Sequence, residues 1–275
     1  KITTMAKWTG SLVLLMMVLH CTAGNTDTIA VYSKAMHKNI PCVVITPAGY
    51  KTGGRHYPVV YLLHGYGGNY AQWPGLAPQL KDDADGMGVI FVCPDGGFGS
   101  WYFDSPADTA FRYETFVTAE LVPFIDAGYP TLANREHRAI TGLSMGGHGG
   151  LYLAIRHKNL FGAAGATSGG VDIRPFPNNW DIKKRLGDTS CCKANWEKNT
   201  VINLAAELHN GELKLIFDCG VNDFFIEVNR QLHQLLLSHH IDHDYTERPG
   251  GHNGAYWKNS IDYQLLFFKK FFGGL

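Results

Sequence analysis

"ITGLSMGGHGG", Ile140 to Gly150, places a serine between glycines directly after a short apolar run and directly before a helical pattern. G-x-S-x-G at such a junction reads as a sharp strand-to-helix turn, in which a flanking side chain would clash. The turn pushes the Ser144 hydroxyl beyond the sheet edge. It leaves that hydroxyl at the mouth of a helix beginning near Met145, where backbone N–H groups and the helix dipole favour developing negative charge.

Working outward from the turn, short continuous apolar runs recur: "VVYLLHG" (Val59 to Gly65), "GVIFVCPDGG" (Gly88 to Gly97), "RAITGLS" (Arg138 to Ser144) and "LKLIFDCG" (Leu213 to Gly220). These predict parallel strands covered on both faces. Helical patterns alternate with them, in "YETFVTAELVPFID", "GGHGGLYLAIRHK", "FFIEVNRQLHQLLLSHH" and "YWKNSIDYQLLFFKKFF". The alternation implies right-handed crossovers and an α/β fold, a mostly parallel central sheet with helices on both faces. Ahead of it, "TIAVYSKAM" and "IPCVVITPAGY" read as paired edge strands. Val171 to Thr200 breaks the rhythm with a polar, proline-bearing, aromatic stretch too long for an ordinary connection. It predicts a lid-like insertion or a small helical excursion over a site, with surface decoration as the alternative.

The chain has 275 residues, 45% of them hydrophobic, enough for one large domain. Lys plus Arg and Asp plus Glu each total 24, with no basic run, which argues against a nucleic-acid partner. Lys7, the apolar "LVLLMMVL" (Leu12 to Leu19) and the small residues of "CTAG" predict an export signal over residues 1–23, cleaved after Ala23. The expected domain is then 24–275, periplasmic or extracellular. The apolar core is too short to span a bilayer, so no membrane span is expected. A lipid anchor through Cys21 is the competing reading, with His20 a poor fit ahead of it. Six cysteines at this size do not make a disulfide scaffold. Cys42, Cys93 and Cys219 fall in apolar runs as small hydrophobes, while the adjacent Cys191 and Cys192 could join a bridge whose partner is not legible. The sequence sets no oligomeric state.

In an open α/β sheet, ligands gather beyond the carboxyl ends of the strands. A serine hydroxyl there is a weak nucleophile that needs a base and an acid to orient the base, following in the order serine, acid, histidine. "VNDFF" offers Asp223 just past one strand end, and "GHNGAYW" offers His252 in the same topological position. Asp218 competes for the acid, but it falls inside an apolar run. His64 and His148 flank the site as shaping and packing residues. "HHIDH" (His239 to His243) reads as solvated histidines rather than a metal site. The oxyanion donors expected are the N–H groups of Met145 and of Tyr66, the latter in the glycine-rich "LLHGYGGNYAQW". Trp101, Tyr102, Trp73 and Trp180 are candidates for a flat sugar or phenolic face.

"LLHGYGGN", "SWYFDSP", "GLSMGGHGG", "DCGVNDFF" and "RPGGHNGAYW", in this order, resemble the esterase D and family 1 carbohydrate esterase group, which holds tributyrin-type, feruloyl and acetyl-xylan esterases, S-formylglutathione hydrolases and mycolyl transferases. The resemblance implies an α/β-hydrolase fold, no cofactor and a triad carried onto Ser144, Asp223 and His252. It implies a small-molecule or oligosaccharide ester as substrate, with feruloyl or acetyl groups on xylan-type oligosaccharides the leading expectation and a general short-chain carboxylesterase or acyltransferase the alternative. The export signal departs from the cytosolic thioester hydrolases. Gly254 with Ala255 stands where relatives often carry bulkier residues.

Overall fold

The computed structural model describes residues 24–52 and 54–273; the leader expected over residues 1–23, with Cys21, lies outside them. Eight strands form one sheet: β1 (Asn25–Ser33), β2 (Lys38–Thr46), β3 (Val59–Leu63), β4 (Ile90–Pro94), β5 (Arg138–Gly142), β6 (Ala163–Thr167), β7 (Lys214–Gly220) and β8 (His243–Arg248). Their order is β1-β2-β4-β3-β5-β6-β7-β8. The first two strands pair antiparallel with each other and β2 with β4, and every later pairing is parallel.

The helices are α1 (Gln72–Leu76), α2 (Leu80–Met87), α3 (Tyr113–Thr115), α4 (Val122–Gly128), α5 (Met145–Arg156), α6 (Ile182–Leu186), α7 (Thr189–Lys198), α8 (Val201–Ala205), α9 (Ile226–Ser238) and α10 (Gly254–Phe271). They cover both faces because alternate residues of a buried strand point opposite ways. Val59, Tyr61 and Leu63 of β3 join the apolar layer that holds Leu151 of α5 and Val228 and Leu232 of α9. Val60 and Leu62 join the other, with Leu80 of α2 and Ile261 and Leu265 of α10. Among the described residues no helix is long and apolar enough to cross a membrane.

Two elements depart from the sequence reading, and a third, the stretch from Val171 to Thr200, takes one of its two expected forms. "YETFVTAELVPFID" is not one α-helix, since Phe116–Leu121 is a π-turn between α3 and α4. Pro123 follows it and has no N–H to give to the carbonyl of Ala119, four residues back, so the regular ladder is interrupted there. Strand β6, "AAGAT", has no apolar signature because its residues are small. A Cβ on Gly165 would lie 2.6 Å from Gln264 Oε1 of α10 and 2.8 Å from Thr141 Oγ1, so bulk is excluded. Val171 to Thr200 carries α6 and α7, a helical excursion whose two ends are fully buried.

Candidate active site

Ser144 stands between β5 and α5 with φ 56° and ψ −116°, a left-handed conformation that an L residue holds only under constraint. The constraint is packing. A Cβ on Gly142 would strike the carbonyl of Gly146, and one on Gly146 would strike that of Leu63. Farther along α5, a Cβ on Gly150 would lie 2.8 Å from the carbonyl of Gly165, so the helix lies directly on the sheet.

Asp223 and His252 arrive on neighbouring loops, after β7 and β8. Backbone bonds join the two loops, Val221 N–H to Arg248 O at 2.9 Å and Asn222 N–H to Gly250 O at 2.9 Å. His252 Nδ1 consequently lies 2.9 Å from Asp223 Oδ2 and 3.1 Å from Oδ1, and its Nε2 lies 2.9 Å from Ser144 Oγ. A carboxylate only accepts, so Nδ1 carries the proton and donates to Asp223, which leaves Nε2 to accept from the serine hydroxyl. Oδ1 of Asp223 also accepts from Phe225 N–H at 2.9 Å, which fixes the plane of the carboxylate. Asp218 is held elsewhere. It is buried within β7 and accepts from Thr167 Oγ1 (2.9 Å), Ser260 Oγ (2.6 Å) and Gln264 Nε2 (3.0 Å).

The loop after β3 passes against the serine, since a Cβ on Gly65 would come within 3.4 Å of Ser144 Cβ. Its neighbouring N–H groups are occupied: Gly65 donates to Gln72 Oε1 (2.8 Å), Gly67 to Phe98 O (2.8 Å) and Gly68 to Gly65 O (3.0 Å). At the helix mouth Gly146 N–H bonds Leu143 O at 2.7 Å. The N–H groups of Tyr66 and Met145, the residues that follow Gly65 and Ser144, meet no acceptor among the described residues. His64 holds this loop from below. Its Nε2 accepts from Gly96 N–H at 2.7 Å, so its Nδ1 donates to Gly65 O at 2.8 Å, and burial pushes its pKa down, which keeps it neutral. His148 packs between Trp101, Phe103 and Tyr152 and bonds Asn199 O at 3.0 Å, while burial lowers its pKa to about 4.

The expected aromatic face is only partly assembled. Trp73 is a correction: it is buried in the layer opposite α5 and donates Nε1 to Leu63 O at 2.9 Å, so it anchors the loop rather than facing a cleft. Tyr102 is fully buried, with its hydroxyl donating to His64 O at 3.1 Å, and Trp101 is buried with Nε1 bonded to Trp180 O at 3.0 Å. The polar "GSWYFDSP" suggests a loop rim for both, yet both rings are buried, on consecutive residues with positive φ. Trp180 does reach the rim. Its ring stacks on Phe224 at 5.4 Å, and Phe224 lies 4.2 Å from the His252 imidazole. Phe224 and Trp257, whose ring sits edge-on to His252 at 5.0 Å, are missed by the sequence reading. The available signal is adjacency, one residue after Asp223 and five after His252. Phe98, 63% exposed, and Phe224, 51% exposed, leave an aromatic rim open at the sheet's carboxyl edge.

One bond ties the excursion to the loop after β3: the Tyr66 hydroxyl donates to Asp181 Oδ2 at 3.2 Å, and Asp181 is itself paired with Lys184 at 2.9 Å. Among the described residues no cluster of three or more His, Cys, Asp or Glu is arranged to hold a metal ion. A hydroxyl bonded to an imidazole that a carboxylate orients is an arrangement suited to acyl transfer.

Comparison with known proteins agrees with this geometry. A family model described as "Putative esterase" matches residues 33–268. The chain is 38% identical over 134 residues to the esterase Rv1288 of Mycobacterium tuberculosis, a match covering 48% of this chain and 29% of that protein. It is 28% identical over 249 residues to an acetyl esterase of Caldicellulosiruptor saccharolyticus, covering 84% and 92% of the two chains. A solved ferulic acid esterase superposes with a TM-score of 0.79 at 28% identity, covering 91% of this chain and 100% of that one. The eight-stranded, mostly parallel sheet is the α/β-hydrolase architecture of that neighbour.

Proposed function

The chain belongs to the esterase family, and on that footing we propose that it is a carboxylic-ester hydrolase working through Ser144, His252 and Asp223. Ser144 Oγ attacks the ester carbonyl while His252 Nε2 takes its proton. The N–H groups of Met145 and Tyr66 receive the oxyanion. The imidazolium then protonates the departing alcohol, and water, deprotonated by the same nitrogen, clears the acyl-enzyme. Asp223 holds the productive tautomer throughout. The observation that carries this reading is the hydrogen-bond line from Asp223 through His252 to Ser144, 2.9 Å at each end.

The substrate proposed is a feruloyl or acetyl ester on xylan-type oligosaccharides of the plant cell wall, acted on by an exported enzyme without a cofactor. The open rim of Phe98, Phe224 and Trp180 supports it, because exposed rings at a catalytic edge suit a flat phenolic or sugar face. The ferulic acid esterase and the acetyl esterase are in keeping with the two acyl groups. Ser144→Ala is expected to fold normally and to lose several orders of magnitude of aryl acetate hydrolysis, and a serine-directed fluorophosphonate is expected to label the wild type alone. Wild-type-like turnover in the variant ends the proposal, and an unlabelled wild type points instead to a non-catalytic carbohydrate-binding protein. Release of ferulate and acetate from xylan fragments tests the substrate. Activity confined to free short-chain esters leaves a general carboxylesterase.

A further inference from the structure

The excursion between β6 and β7 holds chemistry that ester hydrolysis does not use. Cys191 and Cys192 lie in α7 with their Sγ atoms 2.7 Å apart, Cys191 exposed and Cys192 half-buried. The helix is already broken at the second of them, where φ is −126° and ψ is 30°. Cys192 Sγ also rests in a space that only glycine leaves, since a Cβ on Gly187 would lie 2.7 Å from it. The other cysteines of the described residues, Cys42, Cys93 and Cys219, are buried within strands, so neither surface thiol has a distant partner among them.

We propose that Cys191 and Cys192 are a reversible dithiol–disulfide site that closes on itself by exchange with a small-molecule disulfide. The exposed Cys191 attacks the disulfide as its thiolate and forms a mixed disulfide, releasing one thiolate. Cys192 then loses its proton and attacks Cys191 Sγ, expelling the second. The pair loses two electrons and two protons, and the small disulfide becomes two thiols. Three features favour closure. The second sulfur is already in contact with the first, so the internal step outruns a second external one. The backbone at Cys192 is already non-helical, so closing the ring costs little helix. Cys191 is the more exposed of the two thiols, so an incoming disulfide reaches it first and Cys192 is left to close the ring. Reopening is equally built in. Adjacent Cα atoms are fixed about 3.8 Å apart, short of the span of an ordinary disulfide, so the ring is strained and readily reduced.

The pair is tied to the rim through α6. Trp196 Nε1 and Asn195 Nδ2, just beyond the pair, bond the carbonyls of Gly187 (2.9 Å) and Leu186 (2.8 Å) at the end of α6, whose other end carries Trp180 and Asp181.

The test treats the folded full chain with oxidised glutathione, quenches with acid and maps the peptides. The expected wild-type result is a Cys191–Cys192 peptide lighter by two hydrogens, free of glutathione and reopened by reduced glutathione. At least one of Cys191→Ser and Cys192→Ser should then retain a bound glutathione, since nothing remains to displace it. Persistent glutathione on the wild-type peptide, a covalent dimer through it, two thiols still open to alkylation, or adduct-free single variants would each overturn the proposal. The readout is mass, so it stands or falls separately from esterase activity.

Discussion

Asp223→Asn exposes the proposed relay most directly, because the surroundings dictate how the new amide must sit. Oδ1 accepts from Phe225 N–H at 2.9 Å, so the oxygen of the introduced amide takes that position and its NH2 takes the place of Oδ2. That puts a donor 2.9 Å from His252 Nδ1, which must now accept. The tautomer flips, and the proton moves to Nε2, the nitrogen that has to receive the proton of Ser144. A base already protonated at its working position costs about four orders of magnitude in kcat, roughly 5 kcal/mol of transition-state stabilisation. The fold should survive, since the replaced bond is again a hydrogen bond. The control is Asp218→Asn, five residues earlier, where an amide would set a donor against Thr167, Ser260 or Gln264. It is expected to cost about 3 kcal/mol of stability while the folded fraction keeps kcat within tenfold. The assay is steady-state hydrolysis of an aryl acetate, with urea unfolding of both variants. An Asp223→Asn enzyme within tenfold of wild type, or the large kinetic loss appearing in folded Asp218→Asn, would refute the argument.

Other outcomes follow from the same structure. Gly146→Ala should lower the urea midpoint by an amount corresponding to about 1–3 kcal/mol, because the new methyl meets the Leu63 carbonyl and neither backbone can move freely. Burial alone would raise the Glu114 pKa, but bonds from His157, Tyr152 and Arg156 outweigh it and hold the carboxyl at about 2. Its folded pKa is thus depressed, so its contribution, about 3 kcal/mol, is present above the unfolded value near 4.5 and lost as pH falls towards 2; Glu114→Gln should be less stable than wild type at pH 7 and level with it at pH 2. Asp83 is shifted the other way, to about 6, by burial and by Asp262 and Asp82, so it opposes folding as pH rises through that value. Asp83→Asn should therefore raise the thermal midpoint at pH 8 and leave it unchanged at pH 4. Phe224→Ala should raise KM for methyl ferulate about three- to tenfold and leave KM for a simple acetate ester nearly unchanged.

What the sequence could disclose was whatever chemistry imposes locally. The glycines around Ser144 announce a turn because no other residue fits it, and the unbroken apolar runs of β3, β4, β5 and β7 announce strands because both of their faces are covered. The alternation placing Asp223 and His252 after strand ends followed from the same logic. Strand β6 was silent, since its residues are small for the sake of contacts with α5 and α10 that only the assembled fold reveals. Trp73 and Tyr102 misled for a related reason: a tryptophan or tyrosine in a polar stretch looks like a surface, yet each spends its polar atom on a buried carbonyl, of Leu63 and of His64. Phe224 remained hidden because proximity to an imidazole is a property of two loops meeting.

The bond from Tyr66 to Asp181 bears on how this scaffold can be re-engineered. Swapping Val171 to Thr200 for the corresponding segment of another hydrolase, with the aim of changing which acyl group is accepted, would also remove the tether on the loop that carries the Tyr66 N–H. A transplanted segment lacking an acceptor at that point should loosen turnover along with selectivity, so donor segments are best screened first for a carboxylate in register with Asp181.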